Sequence, residues 1–403
     1  MTPLGIGLVG IAGYGESHLE AIERCEREGT AKLQAVAIRP GDSEPDRETV
    51  LRCNGVRIHR AVDEMLQLEK NSVQLICLPT GIPSHAELSI AALNAGYHVL
   101  CEKPAAGCYD DAVLMRAVSR DTGKFLAIGY QHIYSDAVQN LKKFALEREL
   151  GRLLKTKALV LWPRDSAYYS RNHWAGRLVA DEKKVFDSPA QNAAAHYLNV
   201  MLYIAGASPA ASANPVEIYG ENYRGQSIES ADTQFLRVAT DTGVDIFYTA
   251  THATSEHYGP EIHYVFENGV VEFSVASRAD KYRVRTRAGI NEDPRFPHST
   301  SDRHRLGTFH SVVGAIQAGH QPLCTIENAI QHSRCIQTLF EESCPTRPVD
   351  SSFLKQIAIE NAINTVIEGV EVICRKTFEK SCGFAEAGAP WASQGNAVAV
   401  NLC

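Results

Sequence analysis

Two stretches of this 403-residue sequence bring together residue types able to bind phosphate or move a proton. The first is Gly10-Ile-Ala-Gly-Tyr-Gly15, a GxGxxG variant in which Ala12 holds the second glycine position. Glycines there let the backbone turn sharply and approach a pyrophosphate closely, and a following helix adds unpaired N–H groups and a partial positive charge. Gly10, Ala12, Gly13, Tyr14 and Gly15 are therefore candidates to hold a dinucleotide. About twenty residues further on, where a carboxylate usually takes the ribose 2'-hydroxyl, stands Arg39. A guanidinium suits a 2'-phosphate, which favours NADP over NAD. An arginine that merely faces solvent in Arg39-Pro-Gly-Asp42 is the other reading.

The second stretch runs from Phe186 to Gly206. Ser188 suits a helix N-cap, Pro189 the first helical position and Gln191 the third, so these three serve structure. Asn192, His196 and Asn199 then fall at i, i+4 and i+7, on one helix face. Histidine titrates near neutrality and can act as general base or acid, whereas an amide can hydrogen-bond a hydroxyl but cannot take its proton. A histidine satisfied within the core is the alternative for His196. Arg171, Asn172 and Trp174, in Tyr168-Tyr-Ser-Arg-Asn-His-Trp174, combine a cation with an aromatic surface that suits a sugar ring or a carboxylated polyol. Gln131 and His132 offer further polar groups. His252 and His257 lack a nearby third ligand, so no metal site is expected.

The elements that must position these groups follow from apolar patterning. Leu4–Val9, Leu33–Ile38, Val73–Leu78, Tyr97–Cys101 and Phe125–Tyr130 read as buried strands, and helices at 18–27, 84–95 and 110–122 alternate with them. Such alternation requires a parallel sheet covered on both faces. From Gly151 the pattern changes to strands at 155–162, 216–219, 233–239, 245–251, 262–266 and 270–274, with Glu267-Asn-Gly269 as a hairpin turn, which predicts a mostly antiparallel sheet. Helices are expected at 308–318, 326–341 and 353–375, before a tail rich in glycine, alanine and serine.

Bulk properties exclude other classes. The length implies two domains, and 44% apolar with 22% charged residues is an ordinary globular composition. A net charge of -7 leaves no basic footprint for nucleic acid. Eleven cysteines without a CxxC pair read as free thiols in a reducing cytoplasm. No stretch is apolar enough to suggest a leader or a membrane span, so a cytoplasmic location is expected.

Three features together resemble the glucose-fructose oxidoreductase, inositol dehydrogenase and rhizopine-catabolism family. They are the glycine turn followed by His18, the succession Leu78-Pro-Thr-Gly-Ile-Pro-Ser-His85, Ala91-Ala-Leu-Asn-Ala-Gly96 and His98-Val-Leu-Cys-Glu-Lys-Pro104, and the region around His196. The resemblance implies an α/β chain: a Rossmann domain over 1–129, and over 130–403 an α+β substrate and oligomerisation domain with an open, mostly antiparallel sheet. It implies that Pro79, Thr80, His85, Glu102, Lys103 and Gln131 line the cofactor, and that Lys103 also reaches the substrate oxygen. A cis Lys103–Pro104 bond is typical of the family. Substrate contacts are expected from Lys103, Arg171, Trp174, Asn192 and His196, with catalysis by Lys103, His196 and Asn192. Most relatives carry Asp-x-Gly-x-His where this sequence has Asn192-Ala-Ala-Ala-His196. The implied activity is hydride transfer between a nicotinamide cofactor and a sugar, inositol or polyol carbon, in a homodimer or homotetramer. The alternatives are an inactive sugar-binding regulator, or an NAD-dependent glycosidase using Tyr168 or Tyr169 as base.

Overall fold

The structure, a computed structural model, describes residues 2–38, 42–276 and 279–400. Arg39 lies outside the described residues. The chain divides into two compact units, Met1–Ser135 with Ser301–Ile330, and Asp136–Thr300 with Gln331–Cys403. This division differs from a single cut at 129/130. Ser301–Ala318 is a helix of the first unit, where Phe309 stands edge-on to His18 at 5.1 Å and Gln317 donates to the Thr30 carbonyl.

The first unit is a six-stranded parallel sheet in the order Arg57–His59, Ala31–Ala37, Leu4–Val9, Leu75–Leu78, His98–Cys101 and Leu126–Ile128. Every residue of Leu4–Val9 is buried, as expected for a central parallel strand covered on both faces. The order reverses beside Leu4–Val9, which is where ligands bind in doubly wound sheets. Helices Pro45–Cys53 and Val62–Leu68 and the short strand Arg57–His59 were not apparent from patterning, because each is too short for a clear periodicity.

The second unit carries a long mixed sheet. Its described order is Gly289–Asn291, Ala279–Thr286, Gly269–Ala276, Tyr258–Phe266, Leu153–Leu161, Asp245–Thr251, Thr233–Thr240, Pro215–Arg224 and Arg347–Pro348. The pairings are antiparallel except where Leu153–Leu161 meets Asp245–Thr251 and where Arg347–Pro348 joins the edge. Helix Ala195–Ala205, buried over ten of its residues, packs on one face, where the Tyr248 hydroxyl donates to the Ala194 carbonyl.

The segment expected to be helical over 353–375 is instead a hairpin, Leu354–Ile359 with Ala362–Ile367, followed by helix Val370–Lys380. Ile357, Ile359, Ile363, Val366 and Ile367 favour extended backbone, and Gly369, at φ 73°, separates hairpin from helix. That helix and the tail behind it cover the second face of the sheet. Phe378, Phe384 and Trp391 pack with Leu159, Tyr223, Phe235 and Phe247 in one cluster. The resemblance implied that this face is open for subunit contacts, but the chain closes much of it itself. Phe384 is fully buried, with the rings of Tyr223, Phe235 and Trp391 all between 5 and 6.2 Å away. Phe384→Ala should therefore cost about 3–5 kcal/mol, read as a lower urea midpoint at unchanged slope. A loss under about 1 kcal/mol would show that the tail adds little to the core.

Candidate functional site

In the first unit the glycine turn is built as the sequence suggests. Gly10 and Gly13 take positive φ, 87° and 57°, and a Cβ built at either would meet no atom of the described residues within 4 Å. The space in front of the turn is thus open. At Gly15 a Cβ would stand 2.6 Å from the Gly10 carbonyl oxygen, so only glycine lets the helix start so close to the strand end. Among the described residues helix Tyr14–Arg27 has no side-chain cap on its N-terminus; the N–H groups of Gly15 and Glu16 are taken by the Ala12 and Gly13 carbonyls, and the helix end adds its partial positive charge to the turn. This cradle fits a dinucleotide pyrophosphate. Ala12 donates no side-chain group to it and lies at the turn, where Arg47 reaches back to donate to the Ile11 carbonyl at 2.7 Å and pairs with Glu16.

Beside the cradle, Glu102, Lys103 and Pro104 follow strand His98–Cys101, with the Lys103–Pro104 bond cis. His18, 2% exposed, meets Glu102 Oε1 at 3.0 Å, and Glu102 Oε2 accepts the Lys103 backbone N–H. A side chain at position 129 would collide with the Glu102 carboxylate, so Gly129 is required for this packing. His85, 1% exposed, lies between the Pro104 carbonyl, 2.7 Å from Nδ1, and the Thr80 carbonyl, 3.0 Å from Nε2. Burial pushes its pKa below the ordinary range while the two carbonyls pull the other way. A neutral imidazole donates to one of these two carbonyls only, so His85 fills the space between the Thr80 loop and Pro104 and hydrogen-bonds one of them. Gln131 begins a short helical turn after Leu126–Ile128.

In the second unit Ser188 is the expected N-cap, accepting the Gln191 N–H, and Pro189 holds the first position. The helix that follows is not continuous. Pro189–Ala193 forms a π-turn, with Ala194 N–H donating to the Pro189 carbonyl, and the α-helix starts only at Ala195. Asn192 and His196 therefore sit on different segments, not at the regular i, i+4 spacing expected. Ties from Gln234 to the Ala190 N–H and from His332 to the Ala190 carbonyl hold the turn in place. Asn199 is fully buried, and its amide makes no hydrogen bond among the described residues. At the far end, Lys142 donates to the carbonyls of Gly206, at 2.6 Å, and Ala211, at 3.1 Å, as well as Tyr203, so a buried ammonium caps the helix that carries His196.

The Asn192 amide donates to Asp187 Oδ1 at 2.7 Å. Arg171 lies 3.7 Å above the Tyr168 ring and 5.3 Å from that of Trp174, with Nη2 3.9 Å from Asp187 Oδ2. Asn172 caps its own turn by accepting the N–H groups of Trp174 and Ala175, which gives it a structural role. His252 is buried, its Nδ1 2.8 Å from the Trp162 carbonyl, and burial pushes its pKa down to about 3. His257 stacks on Trp162.

Residues 4–130 match the family model described as an oxidoreductase family with an NAD-binding Rossmann fold. Over these residues the chain is similar to the glucose-fructose oxidoreductase, inositol dehydrogenase and rhizopine-catabolism family. Among its relatives, the 4-carboxy-2-hydroxymuconate-6-semialdehyde dehydrogenase of Sphingobium sp. is 22% identical over 66% of this chain and 77% of that protein. D-glucoside 3-dehydrogenase of Escherichia coli is 28% identical over 40% of this chain, and the match spans 44% of that protein's length. The WlbA dehydrogenase of Bordetella pertussis, solved with NADH and UDP-GlcNAcA, shares the fold with a TM-score of 0.67 at 20% identity, over 84% of this chain and 95% of that one. Among the described residues no helix is long and apolar enough to cross a membrane.

Sequence reasoning missed Asp187, Arg47 and Lys142. Asp187 lies next to the capping Ser188 and so could have been noticed. The partners of Arg47 and Lys142 lie 36 and 61 to 69 residues away along the chain, where no periodicity points to them.

Proposed function

We propose that this chain is a nicotinamide-dependent dehydrogenase acting on a CH–OH group of a sugar, inositol or related polyol. The observation that carries the reading is the braced Glu102–Lys103–Pro104 strand end in a unit whose glycine turn is open to a dinucleotide. Gly10, Ala12, Gly13, Tyr14 and Gly15 would hold the pyrophosphate, while Pro79, Thr80, Glu102, Lys103 and Gln131 would line the rest of the cofactor. A bound nicotinamide supplies the acceptor or donor of the hydride. The Lys103 ammonium polarises the reacting oxygen and stabilises charge that develops on it. His196 takes the proton of that oxygen in oxidation and returns it in reduction. Asn192, Arg171 and Trp174 orient the polyol. The relative named D-glucoside 3-dehydrogenase supports this substrate class.

Burial disfavours the glycosidase reading. It raises the pKa of both Tyr168 and Tyr169, which keeps each phenol protonated and makes it a poor base. The amide at Asn192 favours an inactive regulator, while the presence of both Lys103 and His196 favours the enzyme. A panel of inositols, sugars and sugar acids, each offered with NAD and NADP, separates the readings. The dehydrogenase gives a rise in reduced-nicotinamide absorbance with at least one substrate. Binding without any rise, or release of a leaving group with no net reduction, overturns it.

The same proposal assigns Arg39 to a 2'-phosphate. Dissociation constants should then favour NADPH over NADH, and Arg39→Asp should reverse the order. A clear NADH preference in the native protein would contradict the assignment.

A further inference from the structure

The family's acid at position 192 is an amide here, yet the neighbourhood has not lost its carboxylate. Asp187, 2% exposed, lies five residues earlier and touches Asn192 directly. Its Oδ1 accepts from Asn192 Nδ2 at 2.7 Å, and its Oδ2 accepts the Gly176 N–H at 2.7 Å. Arg171 Nη2 stands 3.9 Å from the same Oδ2.

These contacts have a directional consequence. An ionised carboxylate only accepts hydrogen bonds, so Asn192 must present its NH₂ to Asp187, and its Oδ1 is turned to the other side of the amide. A carboxylate at 192 would offer a substrate hydroxyl an acceptor. An amide free to flip would offer either a donor or an acceptor. An amide pinned by Asp187 keeps its oxygen as the acceptor at a fixed place and has only its second N–H left to donate. The Gly176 bond adds a second effect, because one carboxylate then joins the start of the His196 helix to the loop that carries Arg171 and Trp174.

We propose that Asp187 is a positioning residue that replaces the relatives' acid at one remove, fixing Asn192 as a hydrogen-bond acceptor for the substrate hydroxyl. The inference rests on the dehydrogenase reading above and adds to it a carboxylate–amide pair that sets substrate orientation.

The test is an exchange of the pair, measured as turnover of a substrate found in the panel. Asp187→Asn removes the charge that pins the amide and should lower kcat about 10- to 100-fold and raise the polyol KM, with the cofactor dissociation constant unchanged. Asn192→Asp places two carboxylates in contact, so one must hold a proton. Its rate should fall as pH rises through the upper pKa of the pair, a limb absent from the native profile. The double variant D187N/N192D restores one carboxylate and one amide with places exchanged, and should recover to within about fivefold of the native rate. A role confined to packing predicts no such recovery. Native turnover and pH profile in Asp187→Asn, or a double variant no better than the poorer single one, would overturn the inference. His196→Ala separates the two levels. If the native protein turns over nothing in the panel, the proposed function and this inference fall together; if His196→Ala keeps full turnover, the assignment of the base falls and the dehydrogenase stands. If His196→Ala is inactive while Asp187→Asn is native-like, only the inference falls.

Discussion

Replacing Lys103 with alanine should lower turnover by about 10²- to 10⁴-fold while leaving the cofactor dissociation constant within a few-fold of native. The expectation follows from how the backbone around Lys103 is held. Its N–H is bound by Glu102, Glu102 is held in turn by His18, and the carbonyl of Pro104 meets His85 Nδ1 at 2.7 Å. These bonds are made by the Lys103 backbone and by other residues, so they remain available when the ammonium is removed. Lys103→Arg should rescue poorly, because a planar fork cannot take the place of a compact point charge beside a small oxygen. Retained turnover in Lys103→Ala would remove this side chain from the mechanism.

His196→Ala should cost a similar factor in kcat, and its pH profile should change shape as well as height. In the oxidative direction a histidine base works only when neutral, so the native rate falls as pH drops through the range in which the imidazole gains its proton. Without the imidazole that acid limb should disappear. The helix itself should survive the substitution. The π-turn before it is capped by Ser188 and its own C-terminus by Lys142, and neither of these bonds uses the imidazole. An unchanged acid limb in His196→Ala would place the general base elsewhere.

Much of this was legible in the sequence because the signals are local. The glycine turn, the cap formed by Ser188 and Pro189, and the strand end at Glu102–Lys103–Pro104 each lie within a few consecutive residues, and the structure places them as the sequence suggests. What the sequence did not reveal depends on contacts between distant residues. Regular helical spacing placed Asn192 and His196 on one face, but the π-turn at Pro189–Ala193 breaks that spacing, and it is held by Gln234 and His332 from far along the chain. The apolar run after Phe353 fits either a helix or a hairpin by composition. Its β-branched residues and Gly369 decide for the hairpin, and the tail beyond it, which looked like low-complexity sequence, buries Phe384 and Trp391.

The central claim is that an ammonium and an imidazole act on the same oxygen during hydride transfer. A crystal structure of the protein with oxidised cofactor and a polyol substrate tests it most directly. The account requires Lys103 Nζ and one ring nitrogen of His196 both within hydrogen-bond reach of a single substrate oxygen, with that carbon facing the nicotinamide. A polyol bound with its oxygens on only one of the two side chains, and the other directed elsewhere, would contradict it.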